Sequence, residues 1–252
     1  MARAVISGVR MATKNRIPAW IVVVASFLLA QQAVRSYREY AADRAFAKKS
    51  PVERAMHRAM KTSGTYQDPQ VKKVFAQLSV PESQDKGMEL ARLGVRRLHA
   101  KDQIQRVRLV GAMLSGAPME PCAGYVQGTN TPAQTLRLIN HLDSTRLDLW
   151  ARMSLKAMLA EIAGTPPAIA TATADIEGAV DAVLGALDSA ETELFVAVIQ
   201  PTPHTSAEQC NVGRLLYNRV DALPEADQAG YARALTIFEA IGQDSATATA
   251  KR

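Results

Sequence analysis

The clearest pattern of apolar and polar positions along the chain is helical and lies in residues 145–163. Apolar side chains recur there at steps of three and four residues, which places them on one face of an α-helix. They are Leu147, Trp150, Ala151, Leu155, Met158, Leu159 and Ile162. Gly164 and the adjacent Pro166 and Pro167 follow, and such residues end helices. The spacing predicts an amphipathic helix over residues 145–163.

Helix start signals divide the rest of the chain into further helices. A capping Ser, Thr or Asp stands directly before a Pro or three residues before Glu or Gln, which are signatures of a helix N-terminus. The pairs are Ser50 with Glu53, Asp68 with Pro69, Thr131 with Gln134 and Thr205 with Glu208, while Pro224 with Glu225 lacks only the polar cap. With the periodicity, they predict helices at 51–62, 69–79, 82–99, 102–115, 132–142, 145–163, 174–187, 190–199, 206–222 and 224–242.

These elements and the composition favour an all-α fold. Aromatic residues make up only 5% of the chain, so Leu, Ala, Val and Met supply the core, and most of these favour helices. We expect an irregular domain of about 8–10 helices over residues 50–242. The run LFVAVI at 194–199 suits a buried strand or a buried helix, and we expect a helix because a lone strand would lack a partner.

Two stretches and the C-terminus are predicted to interrupt this helical pattern. Residues 111–130 are rich in Gly and Pro, and residues 164–173 form a shorter connector rich in Pro and Thr. The polar tail at 243–252 is predicted to be disordered.

An uncharged apolar stretch near the N-terminus, residues 17–30, follows a basic segment at 1–16 without any acidic residue. This order is typical of a bacterial export signal or a retained membrane anchor. The segment, extended to residue 34, includes Ile17, Trp20, Val23, Phe27 and Ala30. Arg35 and Arg38 follow at once and favour retention, with residues 35–49 as a helical linker. A cleaved signal and a mitochondrial presequence are the alternatives.

Charge divides the chain into a basic and an acidic half. Residues 1–110 hold 21 Lys/Arg and 8 Asp/Glu, whereas residues 111–252 hold 9 and 16. Within the domain, the basic half is residues 50–110 and the acidic half is residues 131–242. The basic run offers Arg92, Arg96, Arg97 and Lys101 for an anionic lipid surface or an acidic partner, although it could equally pack against the chain's own acidic half. No nucleic-acid motif accompanies these charges.

Cys122 and Cys210 are the only cysteines in the chain. In an oxidising compartment they would form a disulfide, and the alternative is two buried free thiols. An enzyme with its site around Cys122 and His141 is a competing hypothesis, because a nucleophilic thiolate needs a histidine base.

The remaining titratable residues do not predict a reaction. His204 and Glu208 are four residues apart but lack a third ligand, and no hydrolase or nucleotide-binding motif is present. We therefore expect no catalytic residues, no metal and no cofactor.

The leading hypothesis for function is a non-enzymatic interaction or structural role. It places the protein in the bacterial inner membrane with a periplasmic helical domain, in contact with lipid through its N-terminal segment and with a protein partner. A periplasmic or secreted binding or effector protein is the alternative if the N-terminus is removed.

Overall fold

The computed structural model describes residues 50–168, 173–199 and 204–249, and every regular element within them is helical. The all-α prediction is confirmed, with eleven α-helices in those ranges rather than eight to ten. They are α1 (Pro51–Thr62), α2 (Pro69–Phe75), α3 (Val80–Gly94), α4 (Ala100–Ser115), α5 (Met119–Val126), α6 (Pro132–Ile139), α7 (Ser144–Ile162), α8 (Thr173–Leu184), α9 (Ser189–Ile199), α10 (Ser206–Arg219) and α11 (Glu225–Thr249). Short 3₁₀ turns occupy Thr65–Gln67, Val95–Arg97 and Val220–Ala222.

The predicted N-terminal hydrophobic helix lies outside the described residues, together with the basic segment and the linker around it. The membrane anchor or signal therefore stays a prediction. Of the helices in the described ranges, none combines the length and the apolar character needed to cross a membrane.

Hydrogen bonds at the helix starts confirm the caps expected from the sequence. In α1, the Glu53 carboxylate accepts from the Ser50 N–H at 2.9 Å and Ser50 Oγ accepts from the Glu53 N–H at 3.3 Å. The same reciprocal pattern starts α6 and α10, and the Asp68 side chain caps α2. These bonds satisfy N–H groups that a helix terminus leaves without intrahelical partners.

One helix falls inside the stretch that the sequence marked as a break. α5 occupies Met119–Val126, within residues 111–130. Pro121 stands in the first turn of α5, where a helix does not need its N–H, so the proline does not oppose the helix. The Asn130 side chain donates to the Pro121 carbonyl at 2.7 Å and closes the loop that follows. Counting Gly and Pro alone therefore overestimated the break.

The C-terminal tail also differs from the prediction. α11 continues to Thr249, across most of the stretch predicted to be disordered. Residues 243–249 contain two alanines and no Gly or Pro, so nothing in this stretch stops a helix that has already formed. The run at 194–199 is helical, as expected, and belongs to α9.

α4 is central to the packing of the described helices. It contacts α7, α10 and α11, and its Val107 and Leu114 have no exposed surface. One core cluster extends from Val52 in α1 to Ile237 in α11. The basic and acidic halves therefore share this core, and a smaller cluster of Leu98, Leu109, Met153 and Ala157 also draws on both.

A glycine allows α3 to approach α7 closely. A Cβ atom built on Gly94 would lie 1.9 Å from the carbonyl oxygen of Ala157, which is a backbone atom that cannot turn aside. Gly87, in the same helix, has nothing within 4 Å of such a Cβ. The two positions form a matched pair for testing this contact.

We predict opposite effects of alanine at these two glycines. Gly94→Ala should lower the free energy of unfolding by about 2–3 kcal/mol because the helices must separate to admit the methyl group. Gly87→Ala should raise it by about 0.5–1 kcal/mol because alanine restricts the unfolded chain and favours the helix. Urea unfolding followed by circular dichroism measures both. Equal effects of the two substitutions would contradict the close approach.

Candidate functional site

A disulfide joins α5 to α10. The Sγ atoms of Cys122 and Cys210 lie 2.03 Å apart, with their Cα atoms 5.2 Å apart, and both residues are completely buried. The bond connects positions 88 residues apart and fixes the short helix α5 against the acidic half. This is the pairing that the sequence offered for an oxidising compartment.

The same bond removes the basis for a cysteine enzyme. Cys122 carries no free thiol, and the described residues contain no free cysteine. His141 is exposed in the turn after α6. A Cys122 thiolate with His141 as its base is therefore not present in this structure.

Four polar side chains from four helices form what we call the polar cluster: Arg106 of α4, Tyr125 of α5, Tyr217 of α10 and Glu239 of α11. Arg106 Nη2 forms an ion pair with Glu239 Oε2. The Tyr217 hydroxyl donates to Glu239 Oε1. The Arg106 and Glu239 side chains are only 17% and 14% exposed, so both charges are largely removed from water.

Helical spacing relates the two tyrosines of the polar cluster to the two cysteines. Tyr125 follows Cys122 by three residues, and Tyr217 follows Cys210 by seven. Both spacings place the tyrosine and the cysteine on the same helix face. The faces of α5 and α10 that carry the disulfide therefore also carry the two tyrosines.

Burial changes the acid–base behaviour of the polar cluster. Burial, and then the charge of Glu239, raise the pKa of both Tyr125 and Tyr217 above the usual tyrosine value. For Arg106, burial acts to lower the pKa, but the Glu239 carboxylate outweighs it, so the pKa lies above its ordinary value. The guanidinium stays charged, and both phenols keep their protons far beyond neutral pH.

The Arg106 guanidinium is not completely satisfied. Its Nη1 is buried and has no hydrogen-bond partner among the described residues. An unpaired buried donor costs about 1–3 kcal/mol, and more when it belongs to a charged group. Glu239 neutralises the Arg106 charge but does not accept from every N–H of the guanidinium. The ion pair therefore fixes where the two helices meet more than it raises the free energy of unfolding.

Two arginines of the basic run, residues 86–108, pair with the chain's own acidic half. Arg97 donates to Glu161 at 2.6 Å and also bonds the Thr165 carbonyl. Arg108 donates to Asp221 at 2.6 Å and to Gln228 at 3.1 Å. The alternatives for this run were an anionic lipid surface, an acidic partner and the chain's own acidic half. Arg97 and Arg108 follow the third alternative.

The four residues predicted for an anionic surface have different surroundings. Arg97 is committed to Glu161, and the Arg96 carbonyl accepts from the Ala168 N–H at 2.9 Å. Arg92 and Lys101 are exposed. Lipid contact by these residues stays a prediction.

The Glu208 carboxylate that was considered for metal binding caps a helix start, as Asp143 does at another. The Glu208 carboxylate accepts from the Thr205 N–H at 2.8 Å, and the Thr205 contacts lower the pKa of Glu208. Asp143 accepts from the Arg146 N–H at 2.9 Å at the start of α7. In the part of the chain that the structure describes, no three His, Cys, Asp or Glu residues are grouped as a metal would require.

Comparison with known proteins assigns no chemistry to this site. The chain matches no protein-family model, no curated protein and no solved structure. The disulfide and the polar cluster must therefore be interpreted from their own geometry.

We predict that Glu239→Gln lowers the free energy of unfolding by about 3–5 kcal/mol, because it leaves the buried Arg106 charge without a counter-charge. The matched control is Asp148→Asn in the exposed Arg58–Asp148 pair (2.6 Å), where we expect a loss below about 1 kcal/mol. The double variant Arg106→Met/Glu239→Met should lose less than Glu239→Gln alone. Urea unfolding measures all three, and a costlier double variant would overturn this account.

We also predict a loss of stability at alkaline pH. Tyrosines of the unfolded chain ionise near pH 10, whereas burial keeps Tyr125 and Tyr217 protonated in the fold. Their stabilising effect is fully present below pH 10 and is lost as the pH rises through the raised values. Tyr217→Phe should reduce the slope of stability against pH by up to about 1.4 kcal/mol per pH unit above pH 10. Urea midpoints across this range measure the slope, and an unchanged slope would contradict the prediction.

Proposed function

We propose that this protein is an exported helical domain of the bacterial envelope with a non-enzymatic interaction or structural role. Its N-terminal segment would anchor it in the inner membrane, with the domain in the periplasm. The observation that carries the proposal is the buried disulfide between Cys122 and Cys210. Disulfides form and persist in oxidising compartments such as the periplasm and are rare in the cytosol.

The position of the disulfide supports a structural role for it. Both cysteines have no exposed surface, so a reducing thiol cannot reach them without local opening. Closing a loop of 88 residues stabilises the fold by about 4.6 kcal/mol in the chain-entropy model. The disulfide contributes this stabilisation only in a compartment where it stays oxidised, and this favours export.

The tasks of the polar residues support a role without catalysis. Cys122 is bonded, Glu208 caps α10, and Arg106 is paired with Glu239 across the core. Each of these groups, which in another setting would serve nucleophilic, metal or acid–base chemistry, contributes here to the packing of helices.

The decisive experiment is the intact mass of the full chain from its native source, with and without reductant. We expect the untreated protein to be lighter than the reduced protein by two hydrogens. Alkylation under denaturing conditions should label no cysteine before reduction and two after it. Two labels without reductant would contradict export to an oxidising compartment.

The same spectrum tests the anchor separately. A mass that includes residues 1–30, in a protein that stays with the membrane fraction after alkaline washing, supports the retained anchor. A mass without them, with the disulfide intact, supports a soluble periplasmic or secreted form instead. The state of the cysteines and the state of the N-terminus are thus independent results.

A further inference from the structure

One methionine in the described ranges is well exposed to solvent. Met119, the first residue of α5, is 41% exposed. The other methionines of these ranges are buried or half-buried: Met56, Met60, Met88, Met113, Met153 and Met158. An oxidant in solution reaches an exposed thioether without any opening of the fold. Met119 is therefore the methionine of these ranges that is most open to oxidation.

The Met119 sulfur lies against a guanidinium of another helix. Nη1 of Arg214, in α10, lies 3.8 Å from Met119 Sδ. A thioether is a weak hydrogen-bond acceptor, so this contact contributes little by itself. Among the described residues, Nη1 has no stronger acceptor than this sulfur. The guanidinium therefore has a donor beside Met119 that the thioether hardly uses.

Two backbone carbonyls hold the rest of the Arg214 guanidinium. Nε donates to the Leu114 carbonyl at 2.9 Å, and Nη2 donates to the Ala117 carbonyl at 2.6 Å. Leu114 lies in the last turn of α4, and Ala117 lies in the connection between α4 and α5. Because the guanidinium is planar and rigid, bonds at two of its nitrogens set the direction of the third. The position of Nη1 therefore does not depend on its contact with the sulfur.

We propose that Met119 is a site of oxidation by hydrogen peroxide and that Arg214 binds the resulting methionine sulfoxide. The sulfur electron pair attacks one peroxide oxygen, so an S–O bond forms and the O–O bond breaks. The proton on the transferred oxygen passes to the leaving oxygen, which departs as water. The sulfur is thereby oxidised by two electrons, and the peroxide is reduced.

The sulfoxide oxygen suits Arg214 better than the thioether sulfur does. It is the negative end of a polar S–O bond, and a hydrogen bond from a charged donor is about twice as strong as one between neutral groups. The flexible methionine side chain lets the oxygen turn towards Nη1. This bond would cross from α5 to α10, the two helices that the disulfide already joins. Oxidation at Met119 would thus add a contact to this interface, whereas oxidation in the core disrupts packing.

The first test is a peroxide titration of the full-length protein with its disulfide intact, followed by reduction, tryptic digestion and mass spectrometry. Met113 and Met119 lie in one tryptic peptide, residues 109–137, and Met113 is only 3% exposed, so it is an internal control. Fragment ions assign the added oxygen to one of the two. We expect Met119 to oxidise at least about tenfold faster, because Met113 reacts only after local opening. Equal rates would overturn the proposal.

The second test asks whether Arg214 binds the product. We expect the protein with Met119 sulfoxide to have a urea midpoint no lower than that of the untreated protein. In Arg214→Leu, which removes the donor, the same oxidation should lower the midpoint. Met119→Leu, treated with the same dose of peroxide, should show no shift. An equal shift in the unsubstituted protein and in Arg214→Leu would overturn the role of Arg214.

A measurement on the unsubstituted protein makes the result independent of whether Arg214→Leu folds. With ¹⁵N-labelled arginine, oxidation of Met119 should shift the side-chain NMR signals of Arg214. Those of Arg97, which is paired with Glu161, should stay in place. Unshifted Arg214 signals in the oxidised protein would contradict binding of the sulfoxide. The proposal goes beyond the interaction role and does not depend on export, since every measurement uses purified protein.

Discussion

A guanidinium and a carboxylate share a largely water-excluded position where α4 meets α11, and this constraint governs how the two halves of the chain assemble. Arg106 and Glu239 must meet because either charge alone would be strongly unfavourable at that position. Further pairs, Arg97 with Glu161 and Arg108 with Asp221, also link the basic half to the acidic half. Part of the separation of charge along the sequence is thus resolved by ion pairs within the described residues.

Close packing of aliphatic side chains provides most of the core. With few aromatic side chains, the helices must approach closely to exclude water, and glycines make this possible. A Cβ atom on Gly213 of α10 would lie 2.3 Å from the Val126 side chain of α5. The disulfide connects the same two helices. Covalent linkage and steric fit therefore act on one interface, and that interface carries Tyr125 and Tyr217 into the polar cluster.

The sequence predicted local features well and the polar cluster not at all. Helix caps such as Ser50 with Glu53 depend on residues three apart, so a single chain displays them directly. The disulfide could be predicted because two cysteines allow only one pairing. Arg106 and Glu239 lie 133 residues apart and follow no motif, so only tertiary structure brings them together. The sequence did not predict α5 because the Gly and Pro of residues 111–130 indicated a break. Pro121 lies in the first turn of α5, where a proline does not oppose the helix.

The fold itself uses the groups that in another protein could serve chemistry. The two cysteines are bonded and completely buried, and the Arg106 charge is paired with Glu239. Arg219 likewise holds the start of α9, where it donates to the Ala186 carbonyl at 2.7 Å and to the Glu191 carboxylate at 3.3 Å. Because these side chains fix the positions of helices, they support the non-enzymatic role that we propose.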